Sequence, residues 1–276
     1  MTSTNNAFTT NVLGLEQHPF PYLIESGLSA VGSHQVFVCP MAVKDVAEVL
    51  IALAQSHLLV FDVDHTNFKP DALRKPGPLM SPTLVELAHD AGVPDHAYDP
   101  EVVAIAATSL PTLLEGLNHY EIKIIDLPRL PTSDEAIDLY CHFAESTRDP
   151  RLGAAGLPLR SRFFLHSHDD CYTSIEADSR EMVLRIVEKS LRLYAGTLIG
   201  SAMNNPMPDI AAIPVPVLER LLAAPAVTML RHHTEYDGNI LRIGFAHAAF
   251  KFQNPVDAPL NGHVSYDVAA GIWCTE

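Results

Sequence analysis

The sequence predicts an α/β fold: a mostly parallel, Rossmann-like sheet with helices on both faces and a smaller β-containing region at the C-terminus. Three observations lead there. Short apolar runs of strand length alternate with helical patterns between about residues 34 and 200. Several of those runs end abruptly in polar residues, as expected where a buried parallel strand leaves its sheet. Beyond residue 200 the style changes, because Pro206, Pro208, Pro214, Pro216 and Pro225 precede a pattern that reads as a hairpin.

The elements follow in order. Residues 1–33 read as an irregular N-terminal segment, 34–200 as the core domain and 201–276 as a C-terminal cap or oligomer surface. HQVFVCP (34–40) reads as a short buried strand stopped by proline, and a helix is expected from about Val43 to Gln55. HLLVFDVD (57–64) is the next strand. Pro70, Pro76, Gly77, Pro78 and Pro82 make the following stretch a loop or flap. EVVAIAATS (101–109) is strand-like, Pro111 suits the first turn of a short helix, and EIKIID (121–126) is again strand-like. SDEAIDLYCHFAES (133–146) has helical spacing with a serine cap, and RFFLHSHDD (162–170) ends a strand in polar residues. Over 180–195, Val183, Ile186, Val187, Leu191 and Tyr194 share one helical face, with Asp178 as cap and Gly196 as stop; GTLIG (196–200) then reads as a strand. The hairpin is expected within 226–250, turning at Asp237-Gly238.

Composition narrows the function classes. Apolar residues are 47% of the chain and charged ones 18%, enough for a sizeable core and too few charges for a disordered chain. Net charge is -15, which disfavours nucleic-acid backbones and anionic membranes and suits a bound cation. The four cysteines are dispersed without CxxC spacing, so no zinc cage or disulfide framework is expected. The N-terminus lacks the pattern of a signal peptide and no apolar run reaches spanning length, so a cytoplasmic protein with a small-molecule substrate, no membrane partner and possible homo-oligomers is expected.

In a parallel sheet the strand C-termini share one edge, where Asp62 and Asp64, Thr108 and Ser109, and Asp169 and Asp170 would converge. Carboxylates so gathered suit a hard cation such as Mg2+, and the hydroxyls suit phosphate oxygens. LLVFDVDHT (58–66), an apolar strand followed by Asp-x-Asp-x-Thr, resembles the first motif of the haloacid dehalogenase-like phosphohydrolases. Thr108, Arg129 and the Asp169-Asp170 pair resemble that family's later motifs, with His65 where the family usually has Gly and Arg129 in place of Lys. The resemblance, over about residues 57–200, implies a Mg2+-dependent phosphohydrolase acting on a small phosphomonoester through an aspartyl-phosphate. It implies Asp62 as nucleophile, Asp64 as general acid and base, Thr108, Ser109 and Arg129 on the phosphoryl oxygens, and Asp62, Asp64, Asp169 and Asp170 at the metal.

Two other readings compete. On one strand face His166, His168, Asp170 and Glu176 alternate, and His168-x-Asp170 with the later His232 and Arg242 resembles the Fe2+ site of 2-oxoglutarate oxygenases, with His166 as a further candidate ligand. The helix expected at 180–195 falls where that all-β fold would need strands. A catalytically inactive α/β protein used for protein contacts would show the same strand and helix pattern.

Overall fold

The computed structural model describes residues 22–28, 34–38, 43–63, 101–116, 122–132, 135, 139, 159–168, 172–204, 206, 208–250 and 259–276. The strands in chain order are β1 Tyr22–Leu28, β2 His34–Val38, β3 His57–Val63, β4 Glu101–Ala106, β5 Ile122–Leu127, β6 Phe163–His168, β7 Tyr172–Ala177, β8 Val227–Tyr236, β9 Ile240–Ala246, β10 Gly262–Asp267 and β11 Ile272–Thr275. The described helices are α1 Val43–Leu53, α2 Leu110–Gly116, α3 Arg180–Met203 and α4 Val215–Leu221. Most strands and helices thus stand close to where the pattern put them.

Their arrangement does not. The sheets are mostly antiparallel with few helices, so the parallel Rossmann-like fold expected from the sequence is corrected. The physical reason lies in what an apolar run encodes. Burial on both faces fixes a strand's length and polarity pattern but not the direction of its neighbours. The crossover β4–α2–β5 does join two strands that run the same way, yet antiparallel β3 lies between them and pairs with both.

The chain divides into two compact units. The first comprises residues 1–27, 36–40 and 183–276, the second 28–35 and 41–182. In the first unit the strand order is β11-β10-β9-β8-β1-β2, and every pairing with a described register is antiparallel. β1 falls within the segment read as irregular. Helix α3 starts beneath a Ser179 hydroxyl that accepts from Met182 N at 3.4 Å, so Ser179 rather than Asp178 supports its first turn. It buries Val183, Ile186, Val187, Leu191 and Tyr194 as the periodicity required. It then runs through Gly196 and over the stretch read as a strand. One interior glycine costs only about 1 kcal/mol, and continued burial of Ala195 and Ile199 on either side of it in the chain offsets it. The β8–β9 hairpin turns where expected. Asp237 Oδ1 accepts Asn239 N (2.9 Å) and Ile240 N (2.8 Å), and Gly238 supplies the positive φ of 96°.

In the second unit the order is β7-β6-β5-β3-β4. Its register gives the sheet two different faces. One carries Leu58, Val60, Ile105, Ile122, Ile124, Phe163, Leu165 and Ile175, all buried. α1 and α2 pack on each other in this unit and bury Val46, Leu50, Leu110 and Leu114. Asp126 interrupts the apolar face while fully buried. Its carboxylate accepts from Gln55 N (2.8 Å), Gln55 Nε2 (2.7 Å) and Arg162 N (3.0 Å), which fastens the end of α1 and the approach to β6 onto β5. No described helix is long and apolar enough to cross a membrane.

Candidate functional site

The antiparallel order redistributes the residues expected to converge. β3 and β6 are each antiparallel to β5, which lies between them, so β3 and β6 run in the same direction. Their C-terminal ends, Asp62–Val63 and Ser167–His168, therefore meet the sheet boundary on one edge, together with the start of β5. Asp62 is the penultimate residue of β3, and Asp169 and Asp170 follow β6 in sequence. Asp64, Asp169 and Asp170 lie outside the described residues.

Thr108, Ser109 and Arg129 belong to the opposite edge. His57, the first residue of β3, pairs with Ala106 of β4 and Leu127 of β5, and Thr108 and Arg129 lie two residues beyond those partners. At about 3.4 Å per residue the length of β3 holds them some 17 Å from position 62, beyond side-chain reach. Thr108 and Ser109 form part of a short 3-10 turn over 107–109 that leads into α2. Arg129 is engaged locally. Its guanidinium holds Glu135 in a two-pronged pair at 2.8 and 2.6 Å, and Thr132 N donates to the same carboxylate at 2.8 Å. The Arg129 hydrogen bonds, helped by Thr132, pull the Glu135 carboxyl down to about 2.

The sequence reading missed Lys123. β5 is otherwise apolar apart from the buried Asp126 on its first face, and the lysine interrupts it on the sheet's second face, in register with Phe61 of β3 and His166 of β6. His166 in turn pairs with Ser174 of β7, so Lys123, His166 and Ser174 form a row across three strands, spanning roughly 10 Å. Behind that row lie Ile125, Phe164 and Glu176, all buried. Burial lowers the Lys123 amine from its ordinary 10.5 to about 8. The available signal was lysine at a core-strand position in EIKIID. His166 and Glu176 do share a face, as strand alternation required, and His168 pairs with Tyr172.

The residues of the oxygenase reading are divided between the units. His168 belongs to the second, and His232 and Arg242 to the first, where Arg242 Nη1 is paired with Asp237 at 3.1 Å. Among the described residues no group of three or more His, Cys, Asp or Glu side chains is arranged to hold a metal ion. No protein-family model, curated protein or solved structure gives a significant match to this chain.

Proposed function

We propose that the chain hydrolyses small phosphomonoesters at the edge of the second unit's sheet where β3 and β6 end. The observation that supports this reading is the common direction of β3 and β6 about β5, by which Asp62 and the end of β6, which Asp169 and Asp170 follow in sequence, lie at one edge of the sheet. In this reading Asp62 attacks the phosphorus, the P–O bond to the leaving alkoxide breaks, and Asp64 gives that oxygen its proton. Asp64 then takes a proton from the water that cleaves the aspartyl-phosphate. Mg2+ bound to Asp62, Asp64, Asp169 and Asp170 would neutralise phosphoryl charge.

The test is turnover of p-nitrophenyl phosphate with and without Mg2+ by the full chain and by Asp62→Asn. Turnover that needs Mg2+ and falls by a factor on the order of 10^3 or more in the variant is expected. Absent turnover in the natural chain, or full activity in the variant, rejects the reading.

A further inference from the structure

The first unit's sheet ends in β11, the outer strand of the order β11-β10-β9-β8-β1-β2. A strand in that place carries a row of backbone donors and acceptors that a further strand can take up. Which residues carry them follows from the ladder. His263 and Glu276 exchange both backbone hydrogen bonds, at 3.1 and 2.9 Å. Antiparallel pairing alternates bonded with non-bonded pairs, so Ser265 with Cys274 and Asp267 with Ile272 are the next bonded pairs. Trp273 and Thr275 therefore turn their N–H and C=O groups away from β10, and no hydrogen bond among the described residues engages those groups.

This edge is firmly held. Asp267 Oδ1 accepts from Ala270 N and Asp267 O from Gly271 N, both at 2.8 Å, which closes the β10–β11 turn. The Trp273 ring is buried, lies 4.8 Å from the Tyr266 ring between centroids and donates to Ala211 O at 2.9 Å. The devices that keep edge strands solitary are missing from it. IWCT contains no proline, lysine or arginine, and its register with β10 runs without a bulge. Apolar groups more than half exposed flank it instead: Ile272 on the face opposite Trp273, and Val215 at the start of α4, which packs against β11.

We propose that β11 pairs antiparallel with β11 of a second copy of this chain, about a two-fold axis at Cys274. In that register Trp273 and Thr275 of one copy exchange hydrogen bonds with Thr275 and Trp273 of the other, four bonds in all, and every outward group is used. A two-fold at Trp273 or at Thr275 engages only one of the two residues. Charge selects the same register. Each chain carries a net charge of -15, so like charges must stay apart for it to pair with itself. Glu276 falls opposite Ile272 of the other copy, and the two Glu276 positions stand about 14 Å apart, beyond the Debye length of about 8 Å at physiological salt. A two-fold at Thr275 would bring them to about 8 Å. Cys274, an exposed thiol, meets its own copy at a non-hydrogen-bonded pair, where Cα atoms stand about 4.5 Å apart, within the range a disulfide spans. This pairing is independent of the phosphohydrolase reading and belongs to the other unit.

Sedimentation velocity of the full, reduced chain over a concentration series, with Thr275→Pro and Cys274→Ser, tests it. Proline at 275 removes an outward N–H and leaves the bonds to β10 in place, because those come from residues 272, 274 and 276. A concentration-dependent dimer is expected in the natural chain, within about twofold of the same affinity in Cys274→Ser and at least about tenfold weaker in Thr275→Pro, which loses two of the four bonds. Diamide, which takes up the two thiol hydrogens, is expected to link the natural dimer through Cys274, with the linked peptide identified by mass spectrometry. Ile272→Cys placed in Cys274→Ser checks the register, because its thiols stand about 14 Å apart across the axis and do not link. A monomer up to about 1 mM, natural affinity in Thr275→Pro, or linking through position 272 as readily as through 274 overturns the proposal. Circular dichroism of each variant separates lost pairing from lost folding, and if Thr275→Pro unfolds the two linking experiments decide.

Discussion

Replacing Lys123 by Met tests whether burial alone explains its lowered amine. Desolvation brings the group from 10.5 to about 8. At ~1.4 kcal/mol per pH unit, that gap of about 2.5 units corresponds to an upper limit of about 3.5 kcal/mol for holding the charged amine in the folded chain. The side chain keeps part of its solvent contact, so screening reduces the expected figure to about 1–2 kcal/mol. The sign follows from proton binding. Below pH 8 both states carry the proton and the folded state bears the full penalty. Between about 8 and 10.5 the unfolded chain holds a proton that the folded chain has released, so stability rises with pH across that window. Met fills similar volume without charge, so Lys123→Met is expected to be more stable than the natural chain by about 1–2 kcal/mol at pH 7, with the difference fading towards pH 10.5. Urea unfolding of both proteins at pH 7 and pH 10 measures this, and differencing removes the other groups that titrate near pH 10. A variant less stable at pH 7, or a gain that does not depend on pH, would show that desolvation does not control this lysine.

Asp126→Ala strands three donors around a buried carboxylate, and a loss of about 3–5 kcal/mol is expected by chemical denaturation, less for Asp126→Asn, which keeps one acceptor. Gly244→Ala drives a Cβ against His233 and should cost about 1–3 kcal/mol; adding His233→Gly, which removes the opposing Cβ, should restore part of the loss in thermal unfolding. Arg129→Gln should let the Glu135 carboxyl rise from about 2 towards its ordinary range, read by NMR titration; under the proposed phosphohydrolase reading it leaves turnover unchanged, because Arg129 lies at the edge opposite Asp62. A fall in turnover would return Arg129 to the site.

The elements were legible because their signals are local. The five apolar face residues of α3 and the Asp237-Gly238 turn each specify a conformation through neighbours within a few positions. Pairing was not legible. HLLVFDV supplies a strand buried by alternation on both sides, and nothing in it distinguishes two antiparallel neighbours from two parallel ones. Gly196 misled for a related reason. Its local preference to stop a helix is weak, and the apolar surface of Ala195 and Ile199, visible only once the sheet beneath is known, outweighs it.

Convergence of Asp62 with Asp169 and Asp170 is expected from a parallel sheet; two strands flanking one antiparallel neighbour also share a direction, so the ends of β3 and β6 lie at one edge, while Asp169 and Asp170 fall outside the described residues. Convergence with Thr108 and Arg129 required β4 and β5 to end on that same edge, and an antiparallel pairing with β3 sends both ends the other way. The same parity puts the start of β5, and hence Lys123, where the end of β5 had been expected. Alternation still separates Lys123 from Asp62 by face: Phe61, not Asp62, stands in register with Lys123, so a shared edge does not by itself bring the amine to the carboxylate.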